Sequence, residues 1–112
     1  MATAKRHITE IIQQAKEENI CLILTSLLPI HIPILMDERS RKNYIKELND
    51  WLSEIAQKNN LIFVNYYATM VFPGTDKPLD RITYDGLHPN AKGYQIMATV
   101  LRSTLKKYEI LI

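Results

Sequence analysis

Two short apolar runs constrain this chain more than any other feature. Residues 21–25 (Cys-Leu-Ile-Leu-Thr) and 61–64 (Leu-Ile-Phe-Val) are almost continuously hydrophobic and carry no helical phase. Runs of this length and composition read as strands buried on both faces, as in a parallel sheet. Cys21 reads as a small buried hydrophobe within the first run. Each run follows an amphipathic segment. Before the first, Ile8, Ile11, Ile12 and Ala15 recur at helical spacing. Before the second, Tyr44, Ile45, Leu48, Trp51, Leu52, Ile55 and Ala56 form one stripe, with Asp37 or Ser40 as the N-cap and Asn59-Asn60 as the stop. Strands alternating with long helices indicate an α/β fold with parallel strands.

The remaining punctuation fits that order. Pro29 and Pro33 enforce a loop through Met36. Residues 66–83 carry Pro73-Gly74 and Pro78 and read as loop with a helical turn. Asn90 caps a last helix that buries Ile96, Met97, Val100, Leu101 and Leu105. The length of 112 residues bounds the chain to a single domain over residues 1–112. Two parallel strands make a poor sheet, because an isolated pair leaves backbone edges unpaired and apolar faces bare. The expectation is that further strands come from an N-terminal half, a second polypeptide or another copy of the chain, a self-complementing homodimer being the favoured form.

Composition excludes more than it assigns. The net charge is +2, with no Lys/Arg run and no basic–aromatic interleaving, so nothing points to nucleic acid. The apolar stretch 20–28 is too short for a membrane span. Residues 1–7 are basic, but no apolar core follows them, so they do not read as a secretory signal. One cysteine permits no internal disulfide. His7, His31 and His88 are scattered without metal-ligand spacing, and neither a metal nor an organic cofactor is expected.

The chemistry concentrates near the C-terminus. Asp85-Gly86-Leu87-His88-Pro89-Asn90 places a carboxylate and an imidazole three residues apart, just before a helix. His88 can act as a general base near neutral pH, and Asp85 can accept the other imidazole N–H and fix the tautomer. The competing reading makes Asp85 and Asn90 turn and cap residues and His88 incidental; it would prevail for an isolated Asp-x-x-His. Here the pattern follows a buried strand and a long loop and opens a helix. The earliest of 3 glycines is Gly74, so no Gly-flanked nucleophile turn stands upstream.

Asp85-Gly86-Leu87-His88-Pro89 followed by Gly93-Tyr94 resembles the last block of the SGNH hydrolases, the GDSL esterase/lipase family. Thr25-Ser26-Leu27-Leu28-Pro29 is similar to that family's strand-then-proline segment, and residues 61–67 to the strand before its final loop. The resemblance implies a partial flavodoxin-like α/β/α sandwich with parallel strands whose N-terminal strands are missing. The chain would be the C-terminal portion of such a domain. It implies an ester hydrolase with a serine nucleophile and Gly and Asn oxyanion donors, His88 as base and Asp85 as its partner, acting on a small-molecule ester of an acyl group or an acetylated carbohydrate. The nucleophile, Gly and Asn blocks are absent from this sequence, so negligible esterase activity is expected of the chain alone. Asn65 stands where relatives often carry Asp, a structural difference.

The resemblance also makes His31 and Ile32, in the proline loop, and Tyr67 candidates for the substrate pocket. The alternatives are that 30–36 packs against structure outside this chain and that Tyr67 is core. Ser26 ends the first strand but lacks the Gly-x-Ser-x-Gly turn, and reads as a hydroxyl satisfying backbone near Pro29. A different reading of the whole chain is a non-catalytic binding or assembly module that completes its sheet with a partner.

Overall fold

A computed structural model describes residues 1–29, 37–83, 85 and 88–108. The order is α1 (Ala2–Glu17), β1 (Ile23–Thr25), α2 (Glu38–Lys58), β2 (Ile62–Val64), α3 (Tyr66–Thr69) and α4 (Ala91–Lys107). β1 and β2 pair in parallel, with Ile23 opposite Ile62, Leu24 opposite Phe63 and Thr25 opposite Val64. Ser26 N–H extends the ladder to the Val64 carbonyl at 3.0 Å.

Both helix-to-strand junctions are built the same way. After α1, the Ile20 N–H returns to the Ala15 carbonyl and the Asn19 N–H to Lys16. After α2, Leu61 returns to Ala56 and Asn60 to Gln57. Asn19 and Asn60 each sit at φ 55°, the left-handed residue that ends a Schellman motif. Asparagine tolerates that conformation better than other side chains because its short amide bonds locally. Lys16 Nζ also donates to Asn59 Oδ1, tying the ends of α1 and α2 together. Near the start of α1, Lys5 Nζ stands 5.6 Å from the ring centroid of Trp51, two turns before the end of α2. The two helices therefore run side by side in the same direction.

The sheet is covered on two faces. Ile62 and Val64 pack with Tyr66, Met70, Ile82 and Leu105, and Ile96, Met97, Val100 and Leu101 of α4 close over that cluster. The buried stripe of α2, Ile45, Leu48, Leu52 and Ala56, takes no part in the cluster and lies across the sheet. Asp37 caps α2 by accepting the Ser40 N–H at 2.7 Å. Residues 66–83 contain α3, capped by Asn65 Oδ1 from the Ala68 N–H at 3.1 Å. A hairpin follows, in which Val71 bridges Pro78 and the Phe72 N–H reaches the Lys77 carbonyl at 2.8 Å. Among the described residues, no helix is long and apolar enough to cross a membrane.

Three sequence expectations fail here. β1 is not buried on both faces: Ile23 and Leu24 are half-buried and Thr25 is exposed, whereas Ile62 and Val64 of β2 are buried. The cause is that the helices sit mainly over β2, on which both α2 and α4 pack, and reach β1 less. Cys21 is exposed rather than buried, because the strand begins at Ile23 and Cys21 belongs to the connection after the Asn19 turn. Trp51 is half-buried at the side of the α2 stripe rather than within the core.

Candidate functional site

The loop after the hairpin is anchored by Ile82, which is buried in the core cluster at 2 % exposure. Thr83 forms an antiparallel bridge with Pro89, so the chain leaves and returns at one place. Asn90 secures the return three times. Its N–H donates to the Ile82 carbonyl at 2.9 Å, and its side-chain amide donates to the Arg81 carbonyl at 2.7 Å. Its Oδ1 accepts the Gly93 N–H at 3.0 Å and caps α4. Gly93 allows the helix to approach, since a Cβ there would stand 2.4 Å from the Ile82 carbonyl oxygen.

Asp85 and His88 meet at the rim of this loop. Asp85 grips His88 at two points: Oδ1 accepts the His88 backbone N–H at 2.7 Å, and Oδ2 lies 2.6 Å from Nδ1. A carboxylate only accepts hydrogen bonds, so in the neutral imidazole this contact puts the proton on Nδ1. The Nε2 lone pair is then left for an incoming proton. The His88 side chain is 68 % exposed and that of Asp85 49 %, so water reaches both. The geometry can orient a general base and steady the imidazolium that forms on proton uptake.

The other sequence candidates separate from this pair. Tyr67 lines a cavity of about 700 Å³ between α2, β2 and the 73–76 turn, whose lining includes neither Asp85 nor His88. His31 and Ile32 lie outside the described residues. Ser26 is buried at 5 % exposure, and its Oγ accepts the Tyr67 N–H at 2.9 Å. It does satisfy backbone, but that of α3 rather than of the segment near Pro29, and it offers no exposed hydroxyl for attack. Asn65 is the α3 cap, in keeping with a structural role.

The supporting part of Ile82 is not legible at Ile82 itself. Its sequence signal was Gly93 itself, a poor helix former placed in the first turn of a helix, where only a close neighbour explains it.

Fold and site together define a parallel α/β unit presenting a carboxylate–imidazole pair on its last loop. Residues 1–96 match the model of the GDSL-like lipase/acylhydrolase family. Among solved structures, a GDSL-like lipase from Bacteroides thetaiotaomicron is 35% identical with a TM-score of 0.74, the match covering 90% of this chain and 50% of that one. A proposed acylhydrolase from Bacteroides fragilis is 33% identical with a TM-score of 0.75, covering 90% of this chain and 49% of that one. The esterase domain of the ORF1 protein from the zebrafish ZfL2-1 retrotransposon, at 18% identity and a TM-score of 0.67, shares the fold; the match covers 94% of this chain and 62% of that one. Among curated proteins, none matches this chain significantly. The chain belongs to the GDSL-like lipase/acylhydrolase family. It spans about half the length of the Bacteroides structures it matches.

Proposed function

We propose that this chain supplies the acid–base half of a serine-type ester hydrolase, with His88 as the base and Asp85 as its orienting partner. The observation that carries the reading is the two-point grip of Asp85 on His88, through backbone N–H and Nδ1 together. That grip fixes the ring and its tautomer before any substrate arrives. In the complete reaction, a serine hydroxyl gives its proton to His88 Nε2 as it attacks the ester carbonyl. The imidazolium then protonates the departing alcohol, and the same nitrogen deprotonates the water that hydrolyses the acyl-enzyme. Family membership supports an ester substrate.

The nucleophile is assigned to a segment outside these 112 residues. Ser26 is buried and engaged, Ser40 bonds the Asp37 cap, and Ser53 and Ser103 are exposed on helices. The chain by itself is therefore expected to hydrolyse p-nitrophenyl acetate no faster than free imidazole does. The test is a chimera in which these residues replace the matching half of the Bacteroides thetaiotaomicron lipase. His88→Ala should lower kcat by at least ~10⁴-fold. Turnover that survives this change sinks the assignment. Independently of turnover, nitrogen NMR of neutral His88 should report the Nδ1–H tautomer, and Asp85→Asn should disturb it.

A second reading has its own observation. Among the described residues β1, like β2, is paired along one edge, and on the β1 side Ile20 and Cys21, which lead into the strand, are exposed. We propose that this edge is completed by another chain, a second copy or the remaining half of the fold. Light scattering over a dilution series tests it: a monodisperse monomer throughout would count against obligatory assembly of copies.

A further inference from the structure

α2 carries a second stripe beside its buried one. Lys42, Lys46, Asn49, Asp50 and Ser53 recur at helical spacing, one position behind Arg41, Ile45, Leu48 and Leu52. Such a polar stripe ordinarily faces open water. Here it overhangs the cavity of about 700 Å³, whose other walls are Phe63, Tyr67 and the turn at Gly74–Asp76. That volume is within the ~300–1,000 Å³ range of small-molecule pockets.

The walls are fixed. Phe63 belongs to β2, and Tyr67 is held in α3 by its N–H bond to the buried Ser26 hydroxyl. The turn is shaped by Pro73 followed by Gly74 at φ 74°, the pair that a type II turn requires, and closes with the Thr75 N–H on the Phe72 carbonyl at 3.0 Å. Lys42 clamps the turn to α2 through Asp76 at 3.3 Å, while also pairing with Glu38 at 3.0 Å. Burial and the nearby Asp76 carboxylate both push the Tyr67 phenol upward, so it stays a neutral donor and acceptor with its hydroxyl in the field of Asp76 and Lys42.

The lining chemistry narrows the ligand. Two lysines and two aspartates balance, and Lys42 is already neutralised by its own partners, so neither a phosphate nor a polyamine has a surplus of opposite charge to meet. The side chains of Lys46, Asp50 and Ser53 form no hydrogen bond with another described residue and offer donors and acceptors of both kinds. An acyl chain would strand those groups without partners. A ring that is apolar on its C–H faces and hydroxylated around its edge satisfies both the aromatic and the polar walls.

We propose that this cavity binds a saccharide of one or two rings, seated against Phe63 and Tyr67 and hydrogen-bonded by Lys46, Asp50 and Ser53. The inference rests on the cavity and not on the Asp85–His88 reading, because binding is measured with sugars that carry no ester.

The experiment is an amide-resolved NMR titration of the full chain with xylobiose, maltose and N,N′-diacetylchitobiose, and with inorganic phosphate and butyrate as probes of the other two chemistries. Saturable shifts confined to Ser53, Phe63, Tyr67 and Gly74–Asp76 are expected for at least one sugar. Lys46→Ala and Asp50→Ala, each at an exposed position with little to cost the fold, should weaken that sugar about fivefold apiece. Tyr67→Phe serves as the variant that keeps the ring. The proposal is overturned if no sugar gives saturable shifts up to its solubility limit, if shifts fall elsewhere, if Lys46→Ala and Asp50→Ala bind unchanged while their spectra remain well dispersed, or if phosphate or butyrate saturates the same amides more tightly.

Discussion

Replacing Gly93 by alanine sets two physical effects of opposite sign against each other. Gly93 lies in the first turn of α4, where alanine is the better helix former by ~0.5–1 kcal/mol. In this site, though, the new Cβ would stand 2.4 Å from the Ile82 carbonyl oxygen and 3.1 Å from Pro89 Cβ. An ordinary carbon–oxygen contact is about 3.3–3.6 Å, so the overlap with Ile82 amounts to about 1 Å. Neither partner yields cheaply. The carbonyl is main chain, its residue is buried in the core, and it already accepts the Asn90 N–H at 2.9 Å. Overpacking of this kind costs about 1–3 kcal/mol. Subtracting the propensity gain leaves a net loss of about 1 kcal/mol, or a fall of roughly 4–8 °C in Tm for a domain near this size. The assay is urea and thermal unfolding of Gly93→Ala beside Ser103→Ala, an exposed α4 position where only propensity acts. Ser103→Ala should be neutral or slightly stabilising. The reasoning is refuted if Gly93→Ala is as stable as the parent chain or more so, because the close approach that seats the Asp85–His88 loop would then be absent.

Ser26→Ala should destabilise by about 1–3 kcal/mol in chemical denaturation, since the Tyr67 N–H loses its partner, and the nitrophenyl acetate rate of the chain should not change. Asn60→Ala should cost about 1 kcal/mol in unfolding free energy, while Asn60→Gly should be neutral or stabilising, because φ 55° strains any Cβ. Asp37 responds to acid. Its carboxyl lies below the ordinary value of 3.8 because the Ser40 N–H and hydroxyl favour the charged form. The folded pKa is thus the lower of the two, so the contribution is fully present above 3.8 and disappears as pH falls through the folded value. The stability gap between the parent chain and Asp37→Ala, followed by circular dichroism at stepped pH, should narrow on acidification below that point.

Local chemistry let the sequence decide a good deal by itself. The stripe of α2 predicts a buried face, and Ile45, Leu48, Leu52 and Ala56 are buried, because helical periodicity depends on neighbours three and four residues away. Asp37 and Asn90 cap helices, and Asn59-Asn60 stops one, for the same reason: the groups they satisfy lie within a turn of them. The Asp85–His88 contact belongs here too, being a bond across three residues. What crosses the chain was decided elsewhere. Whether β1 is covered depends on which helices pack over it, so Thr25 is exposed although its run reads as buried, and Cys21 falls in the connection before the strand. Ser26 finds its partner 41 residues away in Tyr67 N–H, and Tyr67 takes its place in a cavity opposite the α2 stripe rather than beside His88. Gly93 and Ile82 meet because a helix start and a loop return are pressed together. Spacing along a sequence reports only the forces that act within a turn or a strand; contact between distant segments is settled by how their faces pack.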